Sequence, residues 1–328
     1  MNGLAVLISK VKTTIVSPRI IKECDIVAKS IAKKATAARR ARTNDDQKIL
    51  TWFSPSAITE LSALLREIEN TQQNVSERTF NILLLSFGYT ARRVSYQRWR
   101  EFKLYRIPAS DRLASKADVA QIFENHVGTT TSALASLYSS SAPIRRLKLH
   151  LEITVADAKS FNPSCSPNLI ITSPPYGDAS TTIAYDQFSY LASLWLHQFG
   201  VKYNKLNPTS TKRAILNSPL LQERINLLEQ SDANRASQVS QFYDGIVAGL
   251  SQAHDVLAEN GRLCLVVGGR TVKGISFPMN AIVSELALTI GFKKERTFER
   301  VITSKRIAPR NSVSQTINTE SIEVFRRN

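Results

Sequence analysis

Residues 170–176 read Ile-Ile-Thr-Ser-Pro-Pro-Tyr, and this stretch decides how the rest of the chain is read. Leu169–Thr172 is apolar and short, as a buried strand is. The two prolines that follow fix φ and remove two backbone donors, so the strand runs into a stiff loop. Ser173 places a small hydroxyl before the prolines and Tyr176 an aromatic ring after them. An amino group on a flat base needs such a surface, with oxygens to accept its N–H bonds and a ring to stack on its face. Pro-Pro-Tyr alone fits an ordinary turn after a strand equally well. The longer string, with Asn168-Leu-Ile-Ile leading into it and Gly177-Asp178 after it, favours the functional reading.

Outward from this loop the chain alternates strands and helices. Leu147–Val155 reads as a strand ending at Asp157. Phe188, Leu191, Trp195 and Phe199 mark a helix, and residues 201–233 are polar and irregular. A helix over Phe242–Leu257 stops at Asn260-Gly261, where a left-handed residue is expected. Arg262–Val267 reads as a buried strand, followed by Gly268-Gly269-Arg270, which is a tight turn more readily than a phosphate loop. Met279–Ile290 is a helix stopped by Gly291. Phe298–Thr303 and Ser321–Phe325 form a strand pair around a basic loop. This succession predicts an α/β fold, a mostly parallel sheet with right-handed crossovers and an antiparallel terminal hairpin.

The first part of the chain is helical. Leu4, Leu7, Ile8 and Val11 share one helix face behind Asn2, a plausible N-cap. A second helix over Ile26–Arg42 ends in a basic cluster. Residues 52–145 read as helical throughout, with apolar faces at Ile58-Leu61-Leu64-Leu65-Ile68, Phe80-Leu83-Leu84-Phe87 and Val119-Ile122-Phe123. Between the last two lies a run that interleaves cations (Arg92, Arg93, Arg98, Arg100, Lys103, Arg106) with Tyr96, Trp99 and Tyr105. Cations neutralise phosphates and aromatic faces stack on bases, although such a run is also how a solvated helix face reads. The 328 residues carry a net charge of +16 with pI near 9.9, which favours a polyanionic partner. Cys24, Cys165 and Cys264 are too scattered for a disulfide framework or a zinc site. His126, His150, His197 and His254 sit at no ligand spacing. No apolar run approaches a membrane span.

The string around Ser173 resembles motif IV of the amino-methylating, S-adenosylmethionine-dependent DNA methyltransferases, in the Ser-Pro-Pro-Tyr form of the cytosine-N4 branch. The resemblance extends over 178–188, 95–106, 261–270 and the Lys305-Arg306 to Glu320 ending, most of the chain after about residue 50. It implies a Rossmann-like methyltransferase sheet and assigns Ser173, Pro174, Pro175 and Tyr176 to catalysis. Asp157 stands where the family's motif III carboxylate meets the cofactor adenine, and Thr172 and Asn2 also fall at cofactor positions. Arg270, Lys305 and Arg306 join the cations of 92–106 as DNA contacts. The implied substrate is double-stranded DNA with its target base flipped out, the implied setting a bacterial or archaeal cytoplasm, and an implied partner a cognate restriction endonuclease. The implied organisation is 1–45 as the start of the methyltransferase domain, 46–145 as a helical, DNA-contacting insertion, and 146–328 as the catalytic core with its insert at 201–233.

One family element is missing. No Phe-x-Gly-x-Gly loop, which holds the cofactor in motif I, occurs anywhere in the sequence. Asn2-Gly3-Leu4-Ala5 resembles the segment that follows motif II, with Gly3 in place of proline. The expectation is therefore a chain that starts after motifs I and II and takes them from a second polypeptide. Two alternatives stand beside it: an adenine-N6 DNA or RNA amino-methyltransferase, and a DNA-binding remnant without turnover.

Overall fold

The computed structural model describes residues 2–38, 46–99, 103–112, 118–141, 151–177, 185–202, 217–302 and 318–328. It divides into two compact units, Met1–Val155 with Ile183–Lys205, and Ala156–Thr182 with Leu206–Asn328.

The first unit is helical. Its elements are α1 (Gly3–Thr13), α2 (Pro18–Ala37), α3 (Gln47–Trp52), α4 (Pro55–Thr71), α5 (Glu77–Val94), α6 (Ala109–Arg112), α7 (Val119–Ser140) and α8 (Tyr185–Leu196). Several starts have a local cause. Asn2 Oδ1 accepts from the N–H groups of Leu4 and Ala5. Ser54 caps α4, with Pro55 at its first position, and Ser76 caps α5, the side chains and proline that helix starts favour. The expected faces of α1, α4 and α5 are buried, and they share one apolar core with α2, α7 and α8. Trp195 of α8 sits edge-on to Phe53 and Phe87, at ring distances of 5.6 and 6.0 Å. The described helices of 2–38 and 46–141 thus share a single core, and α8, which follows the Ser-Pro-Pro-Tyr loop in sequence, packs there with them.

The all-helical expectation for 52–145 fails at 95–108. Tyr96 N–H donates to the Trp52 carbonyl and Ile107 N–H to the Tyr96 carbonyl. Gln97 and Arg106 form an antiparallel bridge. The described backbone bonds here run across the segment, as from Arg98 N–H to the Tyr105 carbonyl, and out to Trp52, rather than along a helix.

The second unit holds the sheet, in the order β1 (Leu169–Thr172), β2 (Arg262–Gly268), β6 (Thr319–Arg327), β5 (Phe292–Val301). β1 runs parallel to β2, with Thr172 opposite Leu265. β6 lies between β2 and β5 and is antiparallel to both, so the expected terminal strand pair is present with β5 at the sheet edge. Helices α9 (Pro219–Ser231), α10 (Ala233–Val256) and α11 (Met279–Ile290) pack on one sheet face around Leu263, Leu265, Val267 and Phe325. A two-stranded ribbon, β3 (Arg270–Val272) and β4 (Ile275–Phe277), turns through Lys273 and Gly274, both at positive φ as a tight two-residue hairpin requires.

Two expectations are corrected here. Residues 219–231 are helical rather than irregular: Leu221, Ile225 and Leu228 bury one face behind the Ser218 cap and Pro219. The expected strand Leu147–Val155 falls partly on 142–150, outside the described residues. Its described end, 151–155, forms no strand, and Leu151 and Val155 are exposed.

Candidate functional site at the end of the first strand

β1 delivers Ser173 to the carboxyl end of the sheet, where open α/β sheets bind ligands. Ser173 Oγ donates to the Val266 carbonyl of β2 at 3.1 Å, with the Tyr176 oxygen 3.3 Å away. Its lone pairs stay available for an incoming N–H. The Tyr176 hydroxyl donates to Glu320 Oε1 at 2.9 Å. Glu320 lies on β6 between Gly268 and Arg300 in register, and Arg300 pairs with its other oxygen. Burial, with the Glu320 charge acting the same way, holds the Tyr176 phenol above its ordinary range, so the hydroxyl remains a donor. The ring packs partly on the sheet core. A polar chain thus runs from Val266 through Ser173, Tyr176 and Glu320 to Arg300, and it fixes the orientation of the loop. Pro175 and Ser173 are exposed; Pro174 is half-buried.

Glu320 and Arg300 take no part in the sequence reading of the site. They lie 144 and 124 positions from Tyr176, and no local pattern marks them. Their only signal is the alternation of β6, which places Glu320 at the strand end beside Gly268.

Each remaining site candidate has surroundings of its own. Thr172 is exposed at the end of β1. Asp157 sits in a turn of its own: Oδ1 accepts from Lys159 N–H at 3.0 Å, and Lys159 Nζ lies 3.8 Å from Oδ2. The following residues are tied to α10, since Gln252 donates to the Phe161 carbonyl. Asn2 caps α1 in the helical unit. Arg270 opens β3 with its guanidinium 5.5 Å from the Phe242 ring. Arg100, Lys305 and Arg306 lie outside the described residues. Among the described residues no three of His, Cys, Asp and Glu converge as a metal site would require.

The basic run divides by environment. Arg92 donates to the Phe188 carbonyl at 3.0 Å and stacks on the Phe188 ring at 4.1 Å; burial lowers its pKa. It joins α5 to α8. Arg93 lies over the Trp99 ring at 4.3 Å and remains exposed. The bridged turn presents Arg98, Trp99, Tyr105 and Arg106 to solvent, with Trp99 44% and Tyr105 47% exposed. Lys103 is half-buried, its carbonyl accepting from Gln97.

No protein-family model matches the chain. It is 27% identical over 347 residues to the Type II methyltransferase M.MvaI of Kocuria varians, a match covering 98% of this chain and 76% of that protein. Among solved structures it is similar to a candidate DNA modification methylase of Thermus thermophilus, TTHA0409, at 20% identity and TM-score 0.27, covering 52% of this chain and 50% of that one. For the same protein in complex with S-adenosyl-L-methionine the figures are 18%, 0.28, 53% and 54%. The chain spans about half the length of these solved chains.

Proposed function

We propose that this chain is a DNA methyltransferase that modifies the exocyclic N4 of cytosine, with S-adenosylmethionine as the methyl donor. The observation that carries the reading is the Ser-Pro-Pro-Tyr loop at the carboxyl end of β1, clamped through Ser173 to Val266 and through Tyr176 to Glu320. The match to a Type II methyltransferase along nearly the whole chain supports it.

Cytosine N4 is a weak nucleophile because its lone pair is delocalised into the ring. Ser173 Oγ and the Pro174 carbonyl accept its two hydrogens, which favours the pyramidal form in which the lone pair is free. Holding both acceptors rigid before the base arrives is the loop's main contribution. The base leaves the duplex at a cost of a few kcal/mol, and stacking on Tyr176 offsets roughly 1–3 kcal/mol of that. Arg93, Arg98 and Arg106 meet backbone phosphates, with Trp99 and Tyr105 beside them. Arg270, Lys305 and Arg306 are further phosphate contacts, and a cognate restriction endonuclease and a cytoplasmic setting belong to the same reading. No described helix is long and apolar enough to cross a membrane.

The described residues do not by themselves make a site for the methyl donor. The Asp157 carboxylate is engaged by its own turn and by Lys159, the Asn2 carboxamide caps a helix, and the sequence offers no glycine-rich cradle. Thr172 is the candidate that remains beside the loop.

Expression in a strain free of DNA methylation, with single-molecule sequencing of its genome, tests the reading. N4-methylcytosine at one recurrent sequence supports it. N6-methyladenine would transfer the chain to the adenine branch.

A further inference from the structure

The bonds around the Ser-Pro-Pro-Tyr loop decide where its two hydroxyl protons point. A hydroxyl carries one proton to donate, and its oxygen accepts through its lone pairs. The Tyr176 hydroxyl donates to Glu320 Oε1 at 2.9 Å. Glu320 is a carboxylate, which only accepts, and Arg300 pairs with its other oxygen. A bond to a charged acceptor is stronger than one to a neutral hydroxyl, so the Tyr176 proton belongs to Glu320 rather than to Ser173. Ser173 Oγ then faces two oxygens that each need a proton, the Val266 carbonyl at 3.1 Å and the Tyr176 oxygen at 3.3 Å. The Ser173 proton is committed inward to them, and its lone pairs are left for whatever meets the loop. The Pro174 carbonyl beside it has no proton to offer either.

A base with an amino group at this point supplies donors, and the pattern is complete. A base with a carbonyl there brings one more acceptor. Turning the Ser173 proton outward to meet it would leave the oxygens of Ser173, Val266 and Tyr176 facing one another with no proton between them. Polar groups left in that state lose their bonds without replacement, which is how a site built for an N–H rejects the analogue that lacks it.

We propose that Glu320 is a specificity-determining positioning residue: by holding the Tyr176 proton, with Arg300 behind it, it keeps Ser173 an acceptor, so that the loop selects bases with an exocyclic amino group over bases with a carbonyl in its place. The inference rests on the reading of this loop as the base-binding site of a DNA methyltransferase, and it adds what excludes uracil and thymine from that site. Glu320 acts through Tyr176 and not on the base. Its replacement by glutamine exposes the effect. Arg300 takes the amide oxygen, so the Tyr176 proton is no longer held by a charge and can turn to Ser173 Oγ. Ser173 can then donate outward while its contact with Tyr176 stays satisfied, and a carbonyl becomes acceptable.

The probes are single strands of oligodeoxycytidine and oligodeoxyuridine of equal length, at neutral pH where both bases are uncharged. They share a backbone and present an amino group or a carbonyl at the same ring position, so the ratio of their Kd values isolates the base. Fluorescence anisotropy with the full 328-residue chain should show about tenfold tighter binding of the deoxycytidine strand. Glu320→Gln should reduce this preference to about twofold or less. Tyr176→Phe keeps the bond from Ser173 to Val266 and should keep most of the preference. Adding Tyr176→Phe to Glu320→Gln should restore it, because the proton that turned is gone; were Glu320 merely structural, the double variant would do no better than Glu320→Gln. Three results overturn the proposal: equal binding of the two strands by the unaltered chain, an undiminished preference in Glu320→Gln, or no recovery in the double variant. Methyl transfer from labelled S-adenosylmethionine is read separately. The expected series of preferences without any methylated nucleoside leaves the role of Glu320 standing and removes the methyltransferase reading. Methyl transfer by a chain that binds both strands equally does the reverse.

Discussion

Removing the Tyr176 hydroxyl while keeping its ring isolates the clamp on the loop. The bond to Glu320 is 2.9 Å long, its acceptor is a carboxylate only 11% exposed, and Tyr176→Phe deletes the donor without a cavity. Hydrogen bonds to charged groups contribute about 1.5–3 kcal/mol. Arg300 still holds the carboxylate after the change, which favours the lower half of that range. Arg300 is 63% exposed, so its own pair with Glu320 adds about 0.5 kcal/mol. Glu320→Gln keeps an acceptor and removes the charge, and should destabilise the sheet by about 1–2 kcal/mol. Because both changes act on the same bond, one removing its donor and the other the charge of its acceptor, Tyr176→Phe with Glu320→Gln should fall short of the sum by about 1 kcal/mol. Amide exchange in β2 and β6 gives the opening free energy of this sheet separately from the helical unit. Additivity of the two changes to within about 0.5 kcal/mol would refute the clamp.

Other consequences are equally checkable. Burial lowers the His126 pKa to about 4 from 6.5, and the ring stacks on Tyr89 at 4.0 Å beside Ser86. This neutral histidine favours folding fully above pH 6.5, and that contribution of about 2–3 kcal/mol is lost as pH falls toward about 4; the urea midpoint should drop over this window, and less so in His126→Phe. A Cβ on Gly3 would stand 2.4 Å from the Gly200 carbonyl oxygen and 2.8 Å from Val201 Cα. Gly3→Ala should therefore destabilise by about 1–3 kcal/mol despite alanine's higher helix propensity, visible as a lower Tm. Arg98→Ala and Arg106→Ala should each reduce the slope of log K against log salt for DNA by about 1. Arg92→Ala should leave that slope alone and lower the stability of the helical unit instead, as calorimetric melting will show.

Where burial follows a helical or strand period, the sequence announces it. The faces of α4 and α5, the stop at Gly291 and the terminal hairpin all follow from spacing and turn chemistry. The loop at Ser173 was legible for a different reason, because its chemistry is local: two prolines, a hydroxyl and a ring within four residues. The rest depended on contacts that no window contains. α9 hides three apolar residues among polar ones. Arg92 resembles its neighbours in the basic run and differs only because α8, nearly a hundred residues later, folds over it. Glu320 reaches Tyr176 through strand order, which a sequence does not display. The bridge between Gln97 and Arg106 is set by backbone bonds across the segment and by one from Tyr96 to Trp52, outside any local pattern. The strand expected at 147–155 has the alternation of a strand in sequence, yet its described end, 151–155, is exposed and forms none.

The central claim is the chemistry of the product. The purified 328-residue chain is incubated with labelled S-adenosylmethionine and bacterial DNA, and the digested nucleosides are separated by mass spectrometry. Label is expected in N4-methylcytosine and is expected to be lost in Ser173→Ala. Label in N6-methyladenine, or label that survives Ser173→Ala undiminished, would contradict that claim.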